Sequence, residues 1–198
     1  IMMTTFSRDY IYDYHYNMEY PKLGEQISSK TSLFIWSVET NKSISMDVQL
    51  DDNTAYPHLF DVSWMFLHGE QLVVATWANR WQNETAVTLC SYENATSSLV
   101  YQHKYEPNQW GIYADYNNLV YSNSSIFFLL PERRGDNAWQ HIAKIDITTE
   151  FQFDSISFLP SGAYDIKRIV AYRAEKDIVV YLAQAPQPWN RHVYGTPA

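Results

Sequence analysis

The sequence predicts an all-β chain made of repeated, blade-like sheets, and three observations carry that reading. A module recurs three times at a spacing of about 50 to 58 residues. Aromatic side chains make up 16% of the 198 residues, and they suit a pleated, half-buried surface. Apolar residues alternate or run in short blocks between turn signals, with almost no helical spacing. Each copy reads as a strand, a short turn, a second strand that is nearly all apolar, a polar loop holding one Trp, and a third strand. The first copy runs from Asp61 to Tyr92, with residues 71–77 as its apolar strand and Trp81 in its loop. The second centres on residues 125–130 with Trp139, and the third on residues 177–182 with Trp189. Self-similarity at that period marks propellers and solenoids. A unit of three or four strands cannot bury both faces alone, so the copies must stack.

From the N-terminus, residues 6–16 alternate aromatic and polar positions as a two-faced ribbon requires, with Tyr10, Tyr12, Tyr14 and Tyr16 in one period-two series. Exposed aromatics at that density favour an interface, and the plainer alternative is an edge hairpin. Further strands are expected at 32–36, 44–48 and 166–172. Turn signals fall at His68-Gly69, Asn117-Asn118, 134–137 and 160–162. No low-complexity linker divides the chain, so residues 1–198 read as one domain.

Composition bounds the function. The chain is 46% hydrophobic and 18% charged, enough for a core and too little charge for disorder. A net charge of -8 and a pI near 5.1 argue against nucleic acid or an anionic membrane surface as partner, because both need clustered Lys and Arg. The one cysteine, Cys90, excludes an internal disulfide and reads as a small apolar residue within the strand at 86–90. Four N-x-S/T sequons, at Asn41, Asn83, Asn94 and Asn123, point to a secretory route. No apolar run approaches the roughly 20 residues of a membrane-spanning helix. Both ends look like cuts, and the chain reads as a fragment.

Searches for chemistry give little. The six His show neither His-x-His nor His-Glu-x-x-His spacing and read as loop or strand polar groups, so no metal site is expected. Asp51-Asp52 lacks the alternating acids of a calcium loop. Six Gly and no phosphate-binding loop leave no cofactor to expect. No G-x-S-x-G nucleophile elbow occurs.

Several segments carry a family resemblance. Tyr20-Pro-Lys-Leu-Gly24, Asp61-Val-Ser-Trp64 and Trp77-Ala-Asn-Arg-Trp-Gln-Asn-Glu-Thr85 resemble, in order, motifs of the N-terminal β-propeller of the dipeptidyl peptidase IV group of the prolyl oligopeptidase family. Gln102-His103, Trp110-Gly111, Gln140-His141-Ile142 and Asn190-Arg-His-Val-Tyr194 continue the match over nearly the whole chain. The resemblance implies about three to four antiparallel blades of an eight-bladed ring, in a protein whose catalytic α/β-hydrolase domain and paired substrate-gripping glutamates lie outside this chain. It implies that Tyr113, behind Trp110-Gly111, lines the substrate cavity, although Ala114 and Asp115 stand where the family has a basic residue. It implies that the arm at 4–20 pairs two subunits, that Asn83 carries a glycan, and that the parent is an ectodomain outside the plasma membrane or secreted. Cys90 matches the first half of a family disulfide whose second half is missing here. Such a bridge typically contributes about 2–4 kcal/mol.

Three functions follow as expectations. The first is the propeller portion of a serine exopeptidase releasing N-terminal dipeptides, filtering peptide substrates for the hydrolase domain of the same polypeptide. The second is a non-catalytic, membrane-tethered relative. The third is an unrelated β-sandwich that binds carbohydrate through converging aromatics. A propeller would instead place Trp81, Trp139 and Trp189 at equivalent positions of successive blades. Expressed alone, an unclosed set of blades should self-associate through unpaired edges.

Overall fold

The computed structural model describes residues 2–5, 14–17, 31–46, 58–105 and 119–198. The chain divides into two units, Ile1–Lys30 and Thr31–Ala198. In the first, β1 (Met2–Thr5) and β2 (Tyr14–Asn17) form an antiparallel hairpin with Met3 opposite Tyr16 and Thr5 opposite Tyr14. Tyr14 and Tyr16 therefore lie on a strand, while Tyr10 and Tyr12 fall outside the described residues.

The second unit holds four antiparallel sheets in chain order, with no helix among the described residues. A two-stranded sheet pairs β3 (Phe34–Ser37) with β4 (Lys42–Ser45). A four-stranded meander follows, made of β5 (His58–Leu67), β6 (Glu70–Ala78), β7 (Glu84–Ser91) and β8 (Thr96–Lys104). The next meander comprises β9 (Val120–Tyr121), β10 (Ser125–Arg134), β11 (Asn137–Ile147) and β12 (Phe153–Leu159). The last sheet has β13 (Ile166–Arg173), β14 (Ile178–Ala183) and β15 (His192–Pro197).

Turn chemistry sets the registers. His68 and Gly69 both take positive φ, 49° and 87°, as a two-residue turn matched to strand twist requires. Gly135, at φ 62°, closes the β10–β11 hairpin, where a side chain would be strained. The apolar strand of each sequence module is the second strand of its sheet: β6, β10 or β14. Trp81 and Trp189 stand in the loop between second and third strands, as expected. Trp139 does not: the tight Gly135 turn lets the ladder run on, so Trp139 lies within β11, opposite Glu132.

The apolar strands owe their composition to burial on two faces at once. From β6, Leu72 and Val74 pack with Met65, Leu67, Val87 and Leu89 against Ile126, Phe128, Leu130 and Ile145 of the next sheet. The alternate positions turn the other way: Val73, with Cys90, meets Ile35 and Met46, and Ala75 and Trp77 meet Leu33. In β10, Phe127 and Leu129 face away from Phe128 and pack on Ile166, Ile169, Val179 and Tyr181. Strands buried on both faces lose polar alternation, which is why 71–77 and 125–130 read as continuous apolar runs. Among the first strands β9 neighbours both β5 and β13, and the last strands β8 and β12 are neighbours too. Sheets stacked face to face, first strand to first strand, are propeller blades.

The stack is open at both ends. Phe34 and Trp36 are about 60% exposed on the outer face of β3. The β3–β4 sheet covers Val73 and Cys90 but leaves Val62, Trp64 and Phe66 of β5 bare on the same face. At the other end Val170 and Val193 are exposed. Isolated residues 1–198 are accordingly expected to sediment as oligomers. A monodisperse monomer that melts cooperatively would contradict that.

Candidate functional site

One end of the stack collects the long loops and the chain crossings. Ala78 pairs with Thr85 and Glu84 with Lys104, so the β6–β7 loop and the exit from β8 sit side by side. The Tyr105 amide donates to the Asn83 carbonyl at 2.8 Å. Ile166 pairs with Ala183 and Ala183 with His192, so the chain enters the last sheet beside the Trp189 loop. Tyr113 belongs to the crossing between Tyr105 and Leu119 and lies outside the described residues.

The β6–β7 loop is held by Asn79, buried to 5% exposure. Its Oδ1 accepts from the backbone amides of Asn83 (3.0 Å) and Glu84 (3.2 Å), and its Nδ2 donates to Asn83 Oδ1 at 2.8 Å. Gln82 takes a φ of 57° to complete the turn. Trp81 projects from this clasp, 76% exposed. Lys104 closes the base with an ion pair to the buried Glu84, 2.6 Å.

The β10–β11 hairpin rises beyond its neighbours. Its ladder continues to Arg134 opposite Asn137, whereas β12 stops at Leu159 opposite Ile142. Glu132, Arg134, Trp139 and His141 share the face of this ribbon that also carries Leu130. Arg134 donates to Glu132 through Nε (3.0 Å) and Nη2 (2.9 and 3.0 Å). His141, fully buried, contacts Glu132 Oε2 through Nδ1 at 2.5 Å and donates from Nε2 to the Tyr164 carbonyl at 3.1 Å. Asp165 continues the strap: its carboxylate accepts from the Gln140 amide (3.0 Å) and its carbonyl from the Gln184 amide (2.9 Å). The hairpin root is thus tied to the 160–165 crossing and through it to the last sheet.

Electrostatics follow the packing. Partial burial pulls the Glu132 carboxyl upward, but hydrogen bonds from His141 and Arg134 outweigh it and hold the group below the ordinary 4.5. Burial pushes the Cys90 thiol up to about 11 against a Thr88 hydrogen bond, so it is protonated at neutral pH and no nucleophile. Cys90 is a small core residue between the first two blades. The described residues bring together no group of His, Cys, Asp and Glu able to hold a metal.

The sequons differ in setting. Asn41, Asn94 and Asn123 stand exposed in turns, Asn41 at a φ of 52°. Asn83 is half-buried in the Asn79 clasp. His141 is the residue that sequence reasoning undervalued. Folding the hairpin about Gly135-Asp136 puts Glu132 diagonal to it, and that register was the available signal.

Stacked antiparallel meanders with their crossings at one end make this chain part of a β-propeller. The chain belongs to the dipeptidyl peptidase IV family: residues 1–196 match the model of the dipeptidyl peptidase IV N-terminal region. It is 31% identical over 194 residues to dipeptidyl peptidase family member 1 of Caenorhabditis elegans, covering 98% of this chain and 24% of that protein. It is 24% identical over 179 residues to inactive dipeptidyl peptidase 10 of Mus musculus, covering 88% and 22% respectively. Its fold superposes with a TM-score of 0.66, at 14% identity, on a Bacteroides ovatus crystal structure assigned as a dipeptidyl aminopeptidase IV, covering 99% of this chain and 28% of that one. The chain spans about a quarter of the length of these curated relatives.

Proposed function

We propose that this chain is the propeller portion of a dipeptidyl peptidase IV-like serine exopeptidase, gating peptide access to a hydrolase domain of the same polypeptide. The observation that carries the reading is the gathering of crossings and long loops at one end of the stack. Such an end is where a propeller presents residues to a bound partner. In this reading Tyr113, on the β8–β9 crossing, lines the substrate cavity. The hairpin begun by β1 and β2 belongs to an arm at 4–20 that joins two subunits. The polypeptide works outside the cell, anchored or secreted.

A second reading has its own support. The similarity to an inactive mouse relative fits a propeller kept as a binding partner after loss of catalysis. Assay of the full-length polypeptide on an Xaa-Pro chromogenic substrate separates the two. Turnover that a serine-directed inhibitor abolishes, with Tyr113→Ala raising KM several-fold at nearly constant kcat, is the expected result. No turnover from a folded, dimeric preparation would move the assignment to the second reading.

A further inference from the structure

We propose that residues 160–165, the crossing from β12 to β13, form a wall of the peptide entrance, and that Gly162 and His141 are the positioning residues that fix it. The proposal rests on the peptide-gating reading above and names an element that reading leaves unassigned. The crossing leads from the last strand of one blade to the first strand of the next, so it passes over the end of the stack where the crossings gather. Residues 160–165 form neither strand nor helix, and side chains from three strands set their course instead.

His141 Nε2 donates to the Tyr164 carbonyl at 3.1 Å, and the Gln140 amide donates to the Asp165 carboxylate at 3.0 Å. From β14, a side-chain hydrogen bond joins Tyr181 to Tyr164, and the Gln184 amide donates to the Asp165 carbonyl at 2.9 Å. The Tyr164 ring lies against the His141 ring, centroids 5.7 Å apart. Gly162 completes the fit, because a Cβ there would collide with Cε1 and Cδ1 of the Tyr164 ring. That ring is held from two sides, by Tyr181 and by His141, so it cannot step aside without loosening the segment. The glycine is required for close approach, not for a turn.

The anchors leave the middle of the crossing free. Ser161 and Ala163 are exposed, and the main chain of 161–163 makes no hydrogen bond among the described residues. An extended peptide binds by pairing its own amides and carbonyls with such free backbone groups, and the small side chains at 161 and 163 leave room for it. A wall already fixed pays little ordering entropy when the peptide arrives. Loosening it should therefore weaken peptide binding more than it slows the chemical step.

His141 sits between two acceptors, so each ring nitrogen must present a proton for both contacts to hold. A glutamine at 132 can donate to Nδ1 and let the ring keep both contacts, whereas alanine leaves Nδ1 without Glu132. The conservative and the truncating change at one position thus separate the tie from mere bulk.

The test uses the full-length polypeptide and an Xaa-Pro chromogenic substrate. Amide exchange in the peptides holding Gln140 and Gln184 is followed on the same preparations. Gly162→Ala is expected to speed exchange at both amides and to raise KM several-fold at nearly constant kcat. Glu132→Ala should raise KM in the same way, and Glu132→Gln by less. Lys176→Ala, in an exposed turn at the opposite end, should leave KM at the wild-type value. Faster exchange with an unchanged KM in Gly162→Ala would overturn the wall, and unchanged exchange would overturn the positioning role of Gly162. Equal KM shifts from Glu132→Gln and Glu132→Ala would overturn that of His141. A folded wild type that turns nothing over would overturn the exopeptidase reading, and the peptide wall with it, before any variant is compared.

Discussion

Phe128→Ala is expected to destabilise the propeller by about 3–5 kcal/mol, the range for deleting a fully buried aromatic side chain. Phe128 is 1% exposed and belongs to the buried cluster where two four-stranded blades meet, opposite Ala143 on its own sheet and in one cluster with Val74 and Leu89. Its ring lies edge-on to Tyr101, centroids 5.4 Å apart. Close-packed interiors relax only partly around such a void. Leu99→Ala, at a position 37% exposed, should cost less than about 1 kcal/mol. Denaturant midpoints of the full-length polypeptide read both changes. Equal small shifts would mean that these blades do not stack face to face.

His141→Ala carries the second large effect, about 3 kcal/mol, for emptying a fully buried side-chain site and losing its contact with Glu132, which keeps Arg134. The loss combines a carboxylate left with Arg134 alone and an unmet Tyr164 carbonyl. It should be felt at a distance, as faster amide exchange in β13, because one of the two ties to the 160–165 crossing is lost while Asp165 keeps the other. The pH dependence has a definite sign. Glu132 is depressed in the fold, so its contribution is complete above the ordinary value of 4.5 and is lost as pH falls below it, through the folded value. Glu132→Gln should flatten that acid limb, and an unchanged limb would show that the carboxylate is not the group responsible.

The blades were legible because their apolar strands are unusual: the 71–77 and 125–130 runs have side chains buried on both faces, and two-faced burial leaves a signal no turn or surface strand imitates. The outer strands were not. In β12 the first five residues, 153–157, are all exposed, so nothing in their polarity sets them apart from a loop, and only the ladder to β11 makes them a strand. Trp139 has polar surroundings like those of Trp81 and so reads as a loop residue, yet the tight glycine turn keeps it in the ladder. The His141–Glu132 contact joins residues nine apart through a register that sequence spacing alone does not supply. Asn79 escaped notice for a related reason. Its value lies in a side chain that imitates backbone, and composition is blind to that.

The double-sided strands also set a timetable for the growing chain. Each meander joins neighbours in sequence and can assemble as soon as its own residues leave the ribosome. The outward face of β10, with Phe127 and Leu129, must then wait until residues 166–183 arrive to cover it. At ordinary elongation rates the delay from the end of β11 is roughly 2–7 s, far longer than a hairpin needs to form. During that interval an oily sheet stands waiting for its mate, and every blade passes the same exposure on to its successor. Pausing translation between β12 and β13 would lengthen the wait, and chaperone occupancy on the nascent chain should peak there.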